Sequence, residues 1–113
     1  MLNILQIIAA AATILTGLFA LLRPNGITGF TGIQPVGGRG VTEVRAIFGA
    51  LLIALGVYPL VAGSPVAYAM LGVGYLAIAL VRLVSIFIDK SSERSNWISL
   101  AVEIVLGVVL VLQ

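Results

Sequence analysis

The sequence predicts an all-α integral membrane protein, a bundle of four transmembrane helices running up-down-up-down, and three observations predict it. Of its 113 residues 61% are hydrophobic and 9% charged, whereas an ordinary soluble domain carries about 25% charge. The mean hydropathy is +1.24. The apolar residues fall into four runs, each near the ~20 residues that a bilayer span requires, and proline, glycine and charge separate them. A chain this short holds about four spans with brief connections, so residues 1–113 form one four-helix transmembrane domain.

Composition also removes whole classes of chemistry. With no cysteine and no histidine, disulfides, thiol catalysis, haem ligation by histidine and the usual zinc sites are excluded, and no cofactor is expected. A net charge of +2 does not point to nucleic acid, because six basic residues in so apolar a chain act as topology signals.

The first span is residues 2–22. It stops at Arg23-Pro24-Asn25-Gly26, where proline and glycine break the helix and arginine marks the headgroup level. The absence of a basic leader segment favours a retained helix over a cleaved signal peptide. Residues 23–40 are rich in glycine and proline and are expected to be irregular, packed over the bundle mouth because unpaired backbone cannot face lipid. Their glycines do not make a phosphate loop, since neither GxxxxGK[ST] nor GxGxxG is present.

The second span, about residues 42–60, starts with Thr42 as a candidate N-cap and Glu43 and Arg45 in its first turn, and nears its end at Pro59. The third covers about residues 66–88, with Tyr58 and Tyr68 flanking the tight turn before it as interfacial aromatics. Residues 89–96, DKSSERSN, read as a solvated turn whose Lys90 and Arg94 can touch anionic headgroups. The fourth span, 97–113, opens on Trp97 as an interfacial anchor.

All ten charged side chains lie on the side reached after spans one and three. Short cytoplasmic loops collect Lys and Arg, so loops 23–40 and 89–96 are expected on the cytoplasmic side of an inner membrane, with both termini opposite. Glu103 follows Asn96 by seven residues, or ~10 Å at 1.5 Å per residue, which places it within hydrocarbon. Arg82 precedes Asp89 by seven residues on the preceding antiparallel helix, so the two charges reach equal depth and can pair. A lone charge at the bilayer centre costs ~2.5–3.5 kcal/mol, and a charge-assisted hydrogen bond offsets much of that.

Around this pair, Tyr68, Gly72, Tyr75, Ala79, Arg82 and Asp89 share one face of the third span at helical spacing, and that face is expected to point inward. Thr13, Thr16 and Arg23 form a milder polar stripe on span one. Arg45, Gly49 and Gly56 align on span two, and Gly107 lies one turn from Glu103. The expected binding site or buried charge network is therefore Glu43, Arg45, Tyr75, Arg82 and Glu103, gathered at one end of the bundle. A purely structural ion pair that sets helix register is the competing reading.

The segments TEVRAIFGALLIALGVY and LVRLVSIFIDK, with a glutamate in the last helix, resemble a small four-helix bacterial membrane family known only as domain of unknown function 4345 and grouped with the DoxX-like bundles. Glu43, Arg45, Gly49, Gly56, Arg82, Asp89 and Glu103 carry the resemblance, which covers Gly40 to Leu112. It implies a four-helix bundle in a bacterial inner membrane and no particular activity. DoxX-type members are linked to redox partner complexes, a chemistry for which this chain has no cysteine.

Four functions fit the residues unequally. The first is an accessory or binding protein that takes an amphipathic small molecule, a lipid or an isoprenoid, with its polar head at Arg45, Arg82 and Glu103. The second is a transporter like the small multidrug resistance pumps, although those place their membrane glutamate on the first span. An enzyme using Glu43 or Glu103 as general acid or base lacks a nucleophile, metal or cofactor motif. The last is a structural subunit of a homo-oligomer or larger membrane complex, docking through Gly- and Ala-rich faces.

Overall fold

In the computed structural model, residues 2–112 are described, with side chains from residue 4 onward; Met1 and the final Gln113 lie outside. Four long helices form, α1 (Leu2–Leu22), α2 (Gly37–Ala62), α3 (Pro65–Ile88) and α4 (Arg94–Val111), and no strand occurs among the described residues. Each is long and apolar enough to cross a membrane.

The helices pair as two antiparallel hairpins. Within the first, Gly17 of α1 meets the Gly49 backbone and Ile53 of α2, and Gly56 meets Ala10 and Ile14. A Cβ on Gly56 would stand 2.7 Å from the Ala10 carbonyl oxygen, so hydrogen is the only substituent this crossing admits. The second hairpin repeats the device: Gly72 of α3 faces Leu110 and the Gly107 carbonyl of α4, and Gly107 faces Leu76.

The hairpins join at the end away from the charges. Ala9 and Ala10 of α1 pack with Tyr68 and Leu71 of α3 and with Leu110 of α4. Buried Gln6 donates from Nε2 to the Leu112 carbonyl at 3.2 Å, satisfying an acceptor that the end of α4 leaves without a helical donor. Toward the charged end the core divides into Ala20, Ile27 and Val44 in the first hairpin and Ala79, Ile86 and Leu100 in the second.

Two stretches depart from the sequence reading. The connection after α1 is largely helical, with a 3₁₀ turn at Pro24–Ile27 running into one α-turn at Thr28–Thr31. Pro24 suits the first position because its missing N–H would be unbonded there, and its ring is buried together with Ile27. Gly32 at φ +77° ends the turn and donates to the Thr28 carbonyl. This segment packs against the bundle, as expected, but only Arg23 and residues 32–36 are irregular.

Helix α2 starts at Gly37, earlier than the predicted 42, and Thr42 is not its N-cap: its hydroxyl donates back to the Gly38 carbonyl at 3.0 Å from inside the helix. The cause is local. Gly40 donates to the Val36 carbonyl and lies against Pro35, while the Arg39 and Glu43 side chains pair across one turn, stabilising a glycine-rich start. From Val44 to Leu51 the backbone bonds widen to π-helical spacing. That widening sets both Val44 and Gly49 against α1, where ordinary helical spacing would turn one of them away.

The remaining boundaries follow the sequence closely. Gly63, at φ +60°, ends α2 with its N–H on the Pro59 carbonyl. Ser64 caps α3 by accepting from the Ala67 N–H, with Pro65 at the first helical position. Helix α4 begins at Arg94 instead of Trp97 because the Glu93 carbonyl already accepts from Asn96 and Trp97. The Trp97 Nε1–H donates to Ser92 Oγ at 2.9 Å and its ring meets Phe87 edge-on at 6.2 Å.

Candidate functional site

Arg82 and Glu103 meet as their equal depth predicts. The Arg82 Nε–H donates to Oε1 of Glu103 at 2.8 Å and an Nη2–H donates to Oε2 at 2.7 Å, the two-pronged geometry that makes arginine–carboxylate pairs strong. Glu103 is only 8% exposed. A third bond runs from Arg82 Nη1 to Asn96 Oδ1 at 2.8 Å, and Asn96 in turn donates through Nδ2 to the Ser91 carbonyl and hydroxyl. The network therefore ties the last two turns of α3, the middle of α4 and the α3–α4 turn into one unit.

Asn96 was not among the expected site residues. It belongs to a polar run that reads as a solvated turn, and the only signal that could have found it is its position one helical repeat before Glu103, on the same face of α4.

Tyr75 lies about two turns below on α3, and its hydroxyl bonds to Thr13 Oγ1 of α1. Thr13 gives its single hydroxyl proton to the Ala9 carbonyl at 2.9 Å, so Tyr75 is the donor and Thr13 the acceptor. This bond crosses between the hairpins. Among the described residues no buried side-chain polar atom lacks a partner.

Glu43 and Arg45 make their contacts elsewhere. Glu43 is exposed and pairs with Arg39. Arg45 reaches across to α1, its Nε–H donating to the Leu21 carbonyl at 3.2 Å. That carbonyl sits in the last turn of α1, where acceptors are unbonded and a cation complements the helix dipole. Arg45 is thus an end-cap for α1. The expected inward row on α3 holds through Arg82, but Asp89 is exposed and Ile86 is the buried residue of that last turn.

Where the hairpins separate, two clefts open at Arg82 and a third adjoins them. A polar cleft of about 640 Å³ runs along α3 past Arg82, Ser85 and Asp89 to Ser91 and Asn96. A second, about 450 Å³, lies between the 28–33 segment and α4 and shares Arg82, Thr31, Ser91 and Asn96 with the first. The third, about 490 Å³, is walled by Phe19, Phe30, Phe48 and Leu52 and has no charged residue in its lining. Phe30, Thr31 and Phe48 border both it and the second. A polar region centred on Arg82 thus adjoins an apolar slot between α1 and α2.

The arrangement leaves Arg82 with capacity. A guanidinium carries five N–H donors; three are bonded to Glu103 and Asn96, two are not, and its side chain is 31% exposed. Arg82 itself lines the first and second clefts.

Fold and site together define a small four-helix protein with membrane-length helices, an ion pair sunk at one end and an amphipathic cleft beside it. The whole chain, residues 1–113, matches the family model described as Domain of unknown function (DUF4345), and the protein belongs to that family. No curated protein and no solved structure matches it.

Proposed function

We propose that this protein is a ligand-binding accessory protein of the bacterial inner membrane, which holds a lipid- or isoprenoid-like molecule with its polar head at Arg82 and its tail in the slot between Phe30 and Phe48. The observation that carries the reading is that Arg82, with two unbonded N–H donors, lines a cleft that shares Phe30, Thr31 and Phe48 with a slot free of charged residues. Pockets for amphipathic molecules combine apolar walls with a few placed polar groups, and an ionisable group sunk in a membrane-length helix points first to function. In this reading the charged ends of the helices face the cytoplasm, by the distribution of Lys and Arg, and the head binds at the depth of Arg82 while the tail lies in the apolar slot.

Tyr75 and Glu103 support the site without touching the ligand. Glu103 orients the guanidinium, and Tyr75 holds the hairpins at a set spacing. Arg45 and Glu43 contribute to helix ends and lie outside the binding contacts.

Native mass spectrometry of gently extracted protein tests this. Wild type should carry a discrete bound mass, which Arg82→Ala and Phe48→Ala should each reduce at least severalfold while Gly74→Ala, on an open helix surface, retains it. Protein free of bound mass, or a mass indifferent to both substitutions, would overturn the reading.

A further inference from the structure

Resting on that reading, the charges around the cleft select the kind of head it takes. Arg82 is the single basic residue lining either polar cleft, and Glu103 already neutralises it through both carboxylate oxygens. Asp89 lines one cleft and Glu93 the other. Both are exposed, and neither forms an ion pair among the described residues. Lys90 and Arg94, although adjacent in sequence, are outside both linings. The rest of the polar wall is hydroxyl and amide: Thr31, Ser85, Ser91, Ser95, Asn96 and Ser99.

In either cleft a phosphate-bearing head would meet one compensated cation and one uncompensated carboxylate, and like charges at such a site disfavour binding. An uncharged oxygen head meets two N–H donors and a ring of hydroxyls that both donate and accept. We infer that the ligand is an uncharged lipid alcohol, its hydroxyl oxygen accepting from Arg82 and its hydroxyl proton given to a cleft acceptor, with the chain in the slot beside Phe48. Two sources share this chemistry, a diacylglycerol and a prenol.

The test adds four probes separately to delipidated full-length protein in detergent and reads binding by native mass spectrometry: dioleoylglycerol, geranylgeraniol, dioleoylphosphatidic acid and dioleoylphosphatidylethanolamine. One of the two alcohols should bind about tenfold tighter than phosphatidic acid, a factor that corresponds to ~1.4 kcal/mol, and which alcohol does so identifies the source. The double variant Asp89→Asn/Glu93→Gln alters exposed side chains only and should bring phosphatidic acid close to parity. Stronger binding of either phospholipid by wild type, or an unchanged preference in the double variant, would overturn the inference while leaving an Arg82-dependent lipid site intact. If no probe binds in a manner lost with Arg82→Ala, the proposed function itself fails.

Discussion

Arg82 donates three bonds to two partners, and each partner is fixed in turn: Glu103 by burial, Asn96 by Ser91. Removing one member of a buried ion pair costs more than removing both, because the survivor is left as an uncompensated charge. Glu103→Gln and Arg82→Gln should therefore each lower stability by about 2–4 kcal/mol, while the double variant should lose less than the sum of the two. Thermal unfolding of all four proteins in one detergent reads this directly, and additive losses would show that the pair contributes no coupling. The pairing itself is legible in the sequence, since equal distances from one turn put both residues at one depth. Its third partner is not: Asn96 sits among serines and charges that resemble any solvated turn. The Tyr75 to Thr13 bond is likewise hidden, because spacing within a helix says nothing about which neighbouring helix a hydroxyl will meet.

At the level of the helices, apolar runs reveal where spans lie and leave their packing and starts undetermined. Glycine within a helix normally costs ~1 kcal/mol relative to alanine, so the run GGRG reads as loop; Pro35 contact and the Arg39–Glu43 pair reverse that locally. Since Thr42 lies inside the helix, Thr42→Ala should change stability by under ~0.5 kcal/mol, whereas loss of a true N-cap costs about 1 kcal/mol. A drop of that larger size on chemical unfolding would restore Thr42 as the start of α2. The π-helical stretch from Val44 is also invisible to periodicity, which assumes a constant turn.

The glycines divide by their surroundings. Gly56→Ala and Gly72→Ala would drive a methyl group into carbonyl oxygens at 2.7 and 2.9 Å, and overpacking of this kind costs about 1–3 kcal/mol. Gly74 has open space around it, so Gly74→Ala should gain up to ~1 kcal/mol from helix propensity. Opposite signs in unfolding temperature for these substitutions would establish the two hairpin seams. A uniform response would contradict them.

Across the whole molecule, the two hairpins meet at the uncharged end through alanine, tyrosine and leucine and separate toward the charged end, where the clefts lie. Glycines that a structural subunit would offer to other chains are largely occupied within this one, since Gly17, Gly49, Gly56, Gly72 and Gly107 all face a neighbouring helix of the same chain. The Phe30 and Phe48 slot depends on a segment that reads as an irregular loop and folds as a helical turn over the mouth. No sequence pattern marks it, because Phe30 and Phe48 come together only when that turn packs down.

The measurement that bears most directly on the central claim is photocrosslinking in native membranes, with a photoreactive amino acid placed at Phe48 or, as a control, at the exposed Leu80 of α3. If the cleft holds a ligand, position 48 will yield one discrete lipid adduct that vanishes when Arg82→Ala is added, while position 80 will yield the mixed lipids of the bulk membrane with or without that change. The same mixed adducts at both positions, unaffected by Arg82, would mean that the cleft is ordinary lipid-facing surface and that Arg82 and Glu103 serve only to hold α3 against α4.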